Sequence, residues 1–318
     1  MNKGKDKGEY SFSTCWNIKK HRDGRAMIEE IMGLGFGSVE LNYNVTREHL
    51  DTIEPMIDSG EVRVSSVHHA FPFIGDTDFD TDSVMLGYED EARRGRAVEL
   101  LKQSIEYADR YGAGAVVVHP GEVPFTDNID SQLKQIYRVK GRESKEYLAL
   151  WREMSERRER LSPQFLERIR HSLEEVSEFV ARKGYRVAIG IETRARCYQI
   201  PTLQEAGSLI KSLKGSPVGL WYDIGHAMMM DRMGLYDNLR DLREVSPYIV
   251  GVHIHETIGL SDHWCPYVHS QDDVYFDHFL GVIRQAPIKV YELKAQCLPE
   301  DIERSHTLIT QKTALLEG

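Results

Sequence analysis

The sequence predicts an α/β fold, a closed (β/α)8 or TIM barrel with a helical insertion after the fourth strand. Short apolar runs rich in β-branched residues alternate with longer amphipathic segments along most of the 318 residues, and eight such units can be counted. Continuous apolar runs such as 115–119 (AVVVH) are typical of parallel strands covered on both faces. No GxGxxG motif follows the first strand, which removes the usual signature of a dinucleotide-binding sheet.

The predicted strands are separated by helical patterns, several of which end at a glycine. Gly35, Gly112 and Gly184 are suited to the left-handed conformation that often terminates a helix. The predicted strands are Ser11–Thr14, Ser38–Leu41, Arg63–Val67, Ala115–His119, Val187–Glu192, Val218–Asp223, Ile249–His253 and Lys289–Leu293. The predicted helices include Arg25–Met32, Ala97–Tyr111, Phe165–Lys183, Leu203–Leu213, Val274–Arg284 and Pro299–Lys312.

The spacing of the units predicts a single domain over residues 1–318, with two departures from a regular barrel. Residues 1–9 contain lysines but no apolar stretch, so we expect a flexible, solvated start rather than a secretory signal. Residues 123–162 form an insertion with a helical pattern near Glu143–Arg160. This insertion is either a solvated surface helix or subunit contact, or a lid, because it leaves from the face where barrel loops build active sites.

Composition places the chain among globular proteins and bears on its compartment and partners. Hydrophobic residues make up 41% and charged residues 28%, and no apolar run approaches the roughly 20 residues needed to cross a bilayer. The four cysteines are scattered without a CxxC pair, which favours a reducing, cytoplasmic setting. The net charge of −10 argues against a broad nucleic-acid-binding surface, although bound metal ions could create a local one. A homo-oligomer stays open.

Six consecutive predicted strands, the third to the eighth, lead into residue types that bind metal ions. In a TIM barrel, polar residues at the carboxyl ends of strands face the mouth where the active site is assembled. One such residue would usually have a structural role, but six successive strands are difficult to explain in that way. These residues are His68, His69, His119, Glu192, Asp223, His226, His253, His255 and Glu292.

Charge repulsion gives a physical reason to expect a cation among them. Glu192, Asp223 and Glu292 would repel one another at the barrel mouth and raise each other's pKa values. A divalent cation removes that penalty and keeps the carboxylates ionised. With His253, these residues form a mixed oxygen and nitrogen set suited to Mn, Mg, Co or Zn. The alternative is a mouth held by salt bridges without a metal ion.

The motifs at these strand ends resemble the xylose isomerase-like barrel superfamily, which contains sugar isomerases and epimerases and the endonuclease IV type of apurinic endonuclease. The D-x-G-H and H-h-H-E pieces, in this order, are typical of the superfamily rather than of one activity within it. The matching segments run from the third strand to the eighth: VHHAFPF (67–73), VVVHPGE (116–122), IGIETR (189–194), WYDIGHA (221–227), GVHIHET (251–257) and YELK (291–294).

The resemblance implies a role for the principal residues. Glu192, Asp223, His253 and Glu292 correspond to the four metal ligands that most members share. His226 corresponds to a histidine that binds substrate in the epimerases and a metal ion in endonuclease IV. The resemblance therefore implies a metal-dependent enzyme.

Other residues resemble parts of the endonuclease and agree with it less well. His69 and His119 correspond to two histidines that hold additional zinc ions there. The endonuclease also carries D-x-H after the seventh strand, whereas Asp262 and His263 are adjacent in this chain. Adjacent residues in an extended segment point in opposite directions, so we do not expect both to bind one ion or a complete three-metal site to form.

Four more residues, together with His69, His119 and His226, are candidates for substrate binding. Arg194 and Lys294 could each neutralise a phosphate or carboxylate of the substrate, or form a salt bridge within the protein. Trp16 could provide an aromatic wall for a ligand or pack in the core. His255, next to the predicted ligand His253, is also expected to contact the substrate.

Two enzyme classes could use this set of residues. The preferred hypothesis is a divalent-metal-dependent isomerase or epimerase of a sugar or sugar phosphate, in which Glu192 and Glu292 remove and return a proton beside a metal-bound carbonyl through an enediolate. A dehydratase or lyase could use the same enolate. The rival is a phosphodiester hydrolase acting on abasic DNA, and a binding barrel without turnover is a further alternative. The expected partner is a small carbohydrate-like molecule.

Overall fold

A computed structural model describes residues 7–270 and 274–317 and contains a closed barrel of eight parallel strands. Strands that follow one another in the chain are neighbours in the barrel, and β1 closes it by pairing with β8. The predicted (β/α)8 class is confirmed. The strands are β1 (Tyr10–Ser13), β2 (Ser38–Leu41), β3 (Arg63–His68), β4 (Ala115–Val118), β5 (Ala188–Glu192), β6 (Val218–Asp223), β7 (Ile249–Ile254) and β8 (Lys289–Tyr291).

Helices surround the barrel, and three of them differ from the predicted segments, including the one predicted over Ala97–Tyr111, which begins at Glu91. The segment predicted as one helix over Val274–Arg284 is a 3-10 turn followed by a short α-helix. The predicted helix Phe165–Lys183 is the second part of a helix of 39 residues. The helices are α1 (Gly24–Gly33), α2 (Arg47–Asp58), α3 (Glu91–Arg110), α4 (Ile129–Lys140), α5 (Lys145–Lys183), α6 (Leu203–Ser212), α7 (Ile224–Met233), α8 (Asn238–Val245), α9 (Leu280–Gln285) and α10 (Pro299–Ala314).

Two short antiparallel ribbons lie outside the barrel. One pairs Gly121–Glu122 with Gln199–Ile200, and the other pairs Glu256–Ile258 with Ser261–Trp264. Both ribbons are built from loops that follow barrel strands, so they stiffen the mouth. Within residues 7–270 and 274–317, no helix combines the length and apolar character needed to cross a lipid bilayer.

Side-chain caps fix where several helices begin. The hydroxyls of Thr46 and Thr202 each accept a hydrogen bond from the backbone N–H three residues later. The side chains of those later residues, His49 and Glu205, in turn accept a hydrogen bond from the backbone N–H of the threonine. The Asp223 carboxylate caps α7 by accepting from the backbone N–H of His226 at 2.7 Å. Because Asp223 is also the last residue of β6, strand and helix join without a loop. This cap fixes the carboxylate at the barrel mouth.

Alternation along the strands separates side chains that face the helices from side chains that face the barrel interior. Successive residues in a strand point to opposite faces of the sheet. In β6, Leu220 and Tyr222 belong to the large core beneath the helices. Trp221 instead packs with Val117 and Val290 in a separate cluster inside the barrel. The residue two positions after each interior residue therefore points to the same side and lines the mouth, as Asp223 does two positions after Trp221.

The Trp221 side chain fills the barrel interior just below the mouth, and glycines on neighbouring strands make room for it. A Cβ atom on Gly251 would lie 2.2 Å from the indole, and one on Gly190 would lie 3.0 Å from it. The indole also contacts the imidazole of His253 edge-on, with ring centroids 5.1 Å apart. Trp221 thus forms a rigid floor beneath His253.

The insertion builds a second apolar core with α7. Ile129 and Leu133 of α4 and Tyr147 of α5 pack in one cluster with Met230. The Tyr147 hydroxyl donates a hydrogen bond to the backbone carbonyl of Met233 at 2.7 Å. The insertion is therefore packed against the barrel along part of its length.

The start of the chain is tied to the barrel from Lys7 onwards. Lys7 is buried, and its ammonium group contacts the carboxylate of Glu303 in α10. Tyr10 begins β1 and is also buried. The flexible start over residues 1–9 stays a prediction, since residues 1–6 lie outside the described residues.

We expect Gly251→Ala to lower the free energy of unfolding by about 1–3 kcal/mol, because the new methyl group must displace the Trp221 indole from a filled interior. Gly33→Ala is a suitable control, since a Cβ atom there meets no neighbour within 4 Å and the position is helical. Urea denaturation should show the control to be unchanged or slightly more stable. Equal effects of the two substitutions would contradict the proposed tight fit around Trp221.

Candidate metal centre and active site

The four predicted metal ligands converge at the carboxyl ends of β5 to β8. Glu192, Asp223, His253 and Glu292 each offer a ligand atom, and these atoms all lie within 4.8 Å of one another. All four side chains are buried. His253 Nδ1 lies 2.7 Å from a Glu192 oxygen, 3.2 Å from a Glu292 oxygen and 3.5 Å from an Asp223 oxygen. One imidazole nitrogen therefore faces three carboxylates.

A fifth residue, Glu40 at the end of β2, holds the other side of the same imidazole. Both Glu40 carboxylate oxygens lie 3.1 Å from His253 Nε2, and Ser66 donates a hydrogen bond to one of them at 2.8 Å. If the imidazole is neutral, its proton would be on Nε2, which would donate to Glu40. The lone pair on Nδ1 would then be available to bind a metal ion. A carboxylate behind a ligating histidine orients the ring and raises its basicity.

The electrostatics of this centre call for a cation. Burial raises the pKa of Glu292 well above its usual range, and the charges of Glu192, Glu40 and Asp223 add to that effect although His253 opposes it. Burial alone would lower the pKa of His253, but the surrounding carboxylates raise it well above normal. Four buried carboxylates thus share one imidazole, which is a donor set that fits a divalent ion with oxygen and nitrogen ligands.

His255 orients Asp223 and is engaged through both ring nitrogens. Its Nδ1 accepts a hydrogen bond from the backbone N–H of His263 at 2.9 Å. The proton must then be on Nε2, which lies 2.8 and 2.9 Å from the two oxygens of Asp223. A Cβ atom on Gly225 would lie only 2.1 Å from this imidazole, which explains the glycine in the D-x-G-H motif. His255 therefore supports a ligand rather than facing the open mouth.

A second group of possible ligands comprises His68, His119 and Glu192. His68 Nε2 lies 3.6 Å from a Glu192 oxygen, and His119 Nε2 contacts the same oxygen directly. The guanidinium of Arg194 also contacts His119 Nε2 and lies 3.1 Å from that oxygen. A cationic side chain therefore already occupies the ligand atoms that a metal ion in this group would need.

Asp82 anchors Arg194 from the loop after β3. One oxygen of its carboxylate contacts the second terminal nitrogen of the Arg194 guanidinium, and the same oxygen lies 3.2 Å from His119 Nδ1. Burial would raise the pKa of Asp82, but the charge of Arg194 and the bond with His119 hold it well below the usual range. Asp82 is thus ionised and fixes both the arginine and the histidine.

A third group comprises His226, His255 and His263. The rings of His255 and His263 stack with centroids 4.1 Å apart, and the Asp262 carboxylate lies 3.9 Å from His226 Nε2. Asp262 and His263 therefore both border this group, because the positive φ of 59° at His263 departs from regular extended backbone. Only His263 of the two is among its three possible ligands, so the expectation that the pair does not bind one ion stays a prediction.

His226 presents one ring nitrogen to the mouth. Its Nδ1 lies 3.2 Å from the carbonyl oxygen of Thr193 and 3.2 Å from an Asp223 oxygen, so this nitrogen carries the proton. Nε2 is left on the side that faces Asp262. His226 is therefore able to accept a hydrogen bond from a ligand.

Three other predicted site residues have contacts away from the four-ligand centre. His69 is buried and bonds through Nδ1 to the hydroxyl of Ser104 in α3, so the structure brings His68 into the site in its place. Trp16 is buried and donates to the carbonyl of Cys297. Lys294 donates to the hydroxyl of Ser261 at 2.9 Å and its ammonium lies over the Trp264 ring.

The amino-acid sequence also identifies a family. The profile of the xylose isomerase-like TIM barrel family matches residues 28–293. The chain belongs to this family. No curated protein matches it in sequence.

Solved structures similar to this xylose isomerase-like protein include an epimerase-like protein, an epimerase and an endonuclease. A D-tagatose 3-epimerase-like protein has 16% identity and a TM-score of 0.67, with 97% of this chain and 98% of that chain covered. The 3-keto-D-glucoside 4-epimerase of E. coli has 16% identity and a TM-score of 0.64, over 95% and 99%. Endonuclease IV of Thermus thermophilus has 15% identity and a TM-score of 0.55, over 98% and 100%. At these identities the similarity shows the fold alone.

We expect Glu40→Gln to weaken metal binding by about 10–100-fold, because a neutral amide no longer raises the basicity of His253. Calorimetric titration of Mn²⁺ and Zn²⁺ into metal-free protein measures the effect. Glu122→Gln, the same chemical change at the end of a mouth ribbon, is the control and should bind as tightly as the unmodified protein. Equal affinities of the Glu40 variant and the control would show that Glu40 does not support the ligand.

Proposed function

We propose that the protein is a divalent-metal-dependent isomerase or epimerase of a sugar, sugar phosphate or related carbohydrate. The observation that carries this proposal is the combination of one complete four-ligand centre with a second group of ligands that Arg194 occupies. A single cation beside an arginine suits chemistry at one carbonyl group. The similarity to sugar epimerases agrees with this proposal through the shared fold.

The chemistry at this centre would be a proton transfer between carbon and a carboxylate. A divalent ion, when bound, would polarise the substrate carbonyl and acidify the neighbouring C–H bond. One carboxylate oxygen of Glu192 lies 2.7 Å from His253 Nδ1, and one of Glu292 lies 3.2 Å from the same nitrogen. Glu192 is the last residue of β5, and Glu292 directly follows β8. One of these carboxylates would take the proton from the substrate carbon and the other would return it.

Other residues at the mouth would bind and orient the substrate. His226 Nε2 would form a hydrogen bond with a substrate hydroxyl group, whereas both ring nitrogens of His119 already contact Glu192, Arg194 and Asp82. The guanidinium of Arg194 would neutralise an anionic group or the charge that develops on oxygen. Lys294 lies at the rim between Ser261 and Trp264, where it could contact a more distant part of the substrate.

Phosphodiester hydrolysis is the second candidate, and the three groups of possible ligands favour it. Multi-metal sites generate hydroxide and stabilise the leaving oxygen in such reactions. Two contacts weigh against it: Arg194 occupies the second group, and His255 in the third group uses both ring nitrogens. A dehydratase or lyase would share the preferred first step and differ in the loss of hydroxide.

Counting bound metal ions separates the two candidates. We expect native mass spectrometry in Mn²⁺ or Zn²⁺ to show one tightly bound ion per chain. Arg194→Met should bind a second ion, because the substitution frees His119 and Glu192, whereas Arg196→Met should still bind one. Three ions in the unmodified protein, together with cleavage of abasic duplex DNA, would overturn the isomerase proposal in favour of the hydrolase.

Exchange of substrate hydrogen tests the proposed reaction directly. We expect the metal-loaded protein in D2O to incorporate one deuterium at the carbon beside the carbonyl of its substrate, because a carboxylate proton exchanges with solvent. A panel of ketoses, their phosphates and 3-keto-glucosides would be screened by mass spectrometry. Glu292→Gln should lower the rate of incorporation by about 10²–10⁴-fold. Product formation with no deuterium would exclude this proton-transfer mechanism.

A further inference from the structure

The loop between β5 and α6, residues 193–202, carries two arginines that converge on Asp82. Arg194 contacts one Asp82 oxygen and reaches Glu192, and Arg196 lies 3.3 Å from the other Asp82 oxygen. The path of the loop backbone therefore determines whether a guanidinium can reach the metal centre. Helix α4 of the insertion contacts that backbone on both sides of Arg196.

We infer that Asp130 and Lys134 of α4 clamp the backbone between residues 195 and 197, and that the insertion thereby positions Arg194 at the metal centre and Arg196 against Asp82. Asp130 accepts a hydrogen bond from the backbone N–H of Cys197 at 3.0 Å. Lys134 donates to the backbone carbonyl of Ala195 at 2.8 Å. The significance of the arginines for catalysis rests on the proposed function, whereas the clamp does not.

The two clamp residues also pair with each other. The second Asp130 oxygen lies 2.8 Å from the Lys134 ammonium, and the residues are four apart on one face of α4. Asp130 is only 4% exposed, so its charge needs both partners to offset the cost of burial. A buried ion pair that bonds directly to a loop backbone restricts that backbone more than a solvent-exposed pair would.

Apolar packing makes α4 a firm support for the clamp. Ile129 and Leu133, which flank the clamp residues, are fully buried against Cys197 and Met230. The side chain of Cys197 is itself fully buried, so the loop enters the second core at the clamped position. Helix and loop therefore share one apolar core at the clamped position.

Helix α5 holds the following part of the same loop. Arg158 donates to the backbone carbonyl of Gln199 at 2.9 Å while both its terminal nitrogens bond to Glu205 in α6. The Val123 N–H donates to the carbonyl of Tyr198 at 3.0 Å. The insertion thus contacts the loop continuously from residue 195 to residue 199, and the clamp is the contact nearest to the arginines.

Hydrogen exchange and limited trypsin digestion test the clamp without a substrate. In Asp130→Ala, the backbone amide hydrogen of Cys197 should exchange with solvent at least about tenfold faster, because local opening of the loop no longer requires breaking its hydrogen bond to Asp130. Trypsin should cleave after Arg194 and Arg196 with a similar acceleration. Asp127→Ala is the matched control, because it removes a carboxylate of the same insertion whose partner is Arg157 rather than the loop.

Conservative variants separate positioning from loss of folding. Asp130→Asn keeps an oxygen for the Cys197 amide and should retain most of the protection, and Lys134→Met should expose the loop while preserving the helix. If Asp130→Ala does not fold, these two variants carry the test. Unchanged exchange at residue 197 and unchanged cleavage, relative to the Asp127 control, would overturn the clamp.

A count of bound metal ions tests whether the clamp acts on the centre through Arg194. If the loop is released in Asp130→Ala, the guanidinium of Arg194 should move away from Glu192. The variant should then bind a second Mn²⁺ or Zn²⁺ ion, as is expected of Arg194→Met. A single ion in Asp130→Ala, in spite of faster exchange and two ions in Arg194→Met, would overturn the positioning role. An inactive substrate panel would instead count against the proposed function alone.

Discussion

The mouth of the barrel depends on the balance of charge around His253. Three carboxylates face its Nδ1 and a fourth faces its Nε2, all of them buried where water cannot screen them. Burial, together with the charges of Glu192, Glu40 and Asp223, raises the pKa of Glu292 well above its usual range although His253 opposes the rise. Much of the surrounding architecture holds these oxygens in place against their repulsion: Asp223 caps α7, His255 donates to Asp223, and Trp221 supports the imidazole from below.

The convergence of the four candidate ligands could be predicted because two local signals coincide at each of them. Glu192, Asp223, His253 and Glu292 lie at or just beyond the end of an apolar strand and within a segment that resembles a known motif. The parallel arrangement of eight strands then brings them together at one end of the barrel. The same regularity explains why strand positions were predicted to within one or two residues at each end.

The positions of His68 and Glu40 both reflect the period of two within a strand. Ser66 and His68 face the barrel interior while Val67 and His69 face outward, so His68 rather than His69 lies beside Glu192. Glu40 follows Ser38 with the same alternation, and that pattern was available in the sequence. Asp82 is different, because only the folded loop after β3 brings it to Arg194, 112 residues away along the chain.

Arg194 determines how this ligand set can be used. A histidine and a glutamate of the second group are already in contact with its guanidinium, so a metal ion there would lie against a fixed positive charge. Coulomb repulsion between two cations at contact distance in a buried site is on the order of several kcal/mol and would oppose binding of that ion. A substrate oxygen that becomes negative during the reaction would instead be stabilised by the same guanidinium. Because α4 and α5 bond to the backbone of the loop that carries Arg194, the proposed one-ion chemistry would depend on a segment outside the barrel.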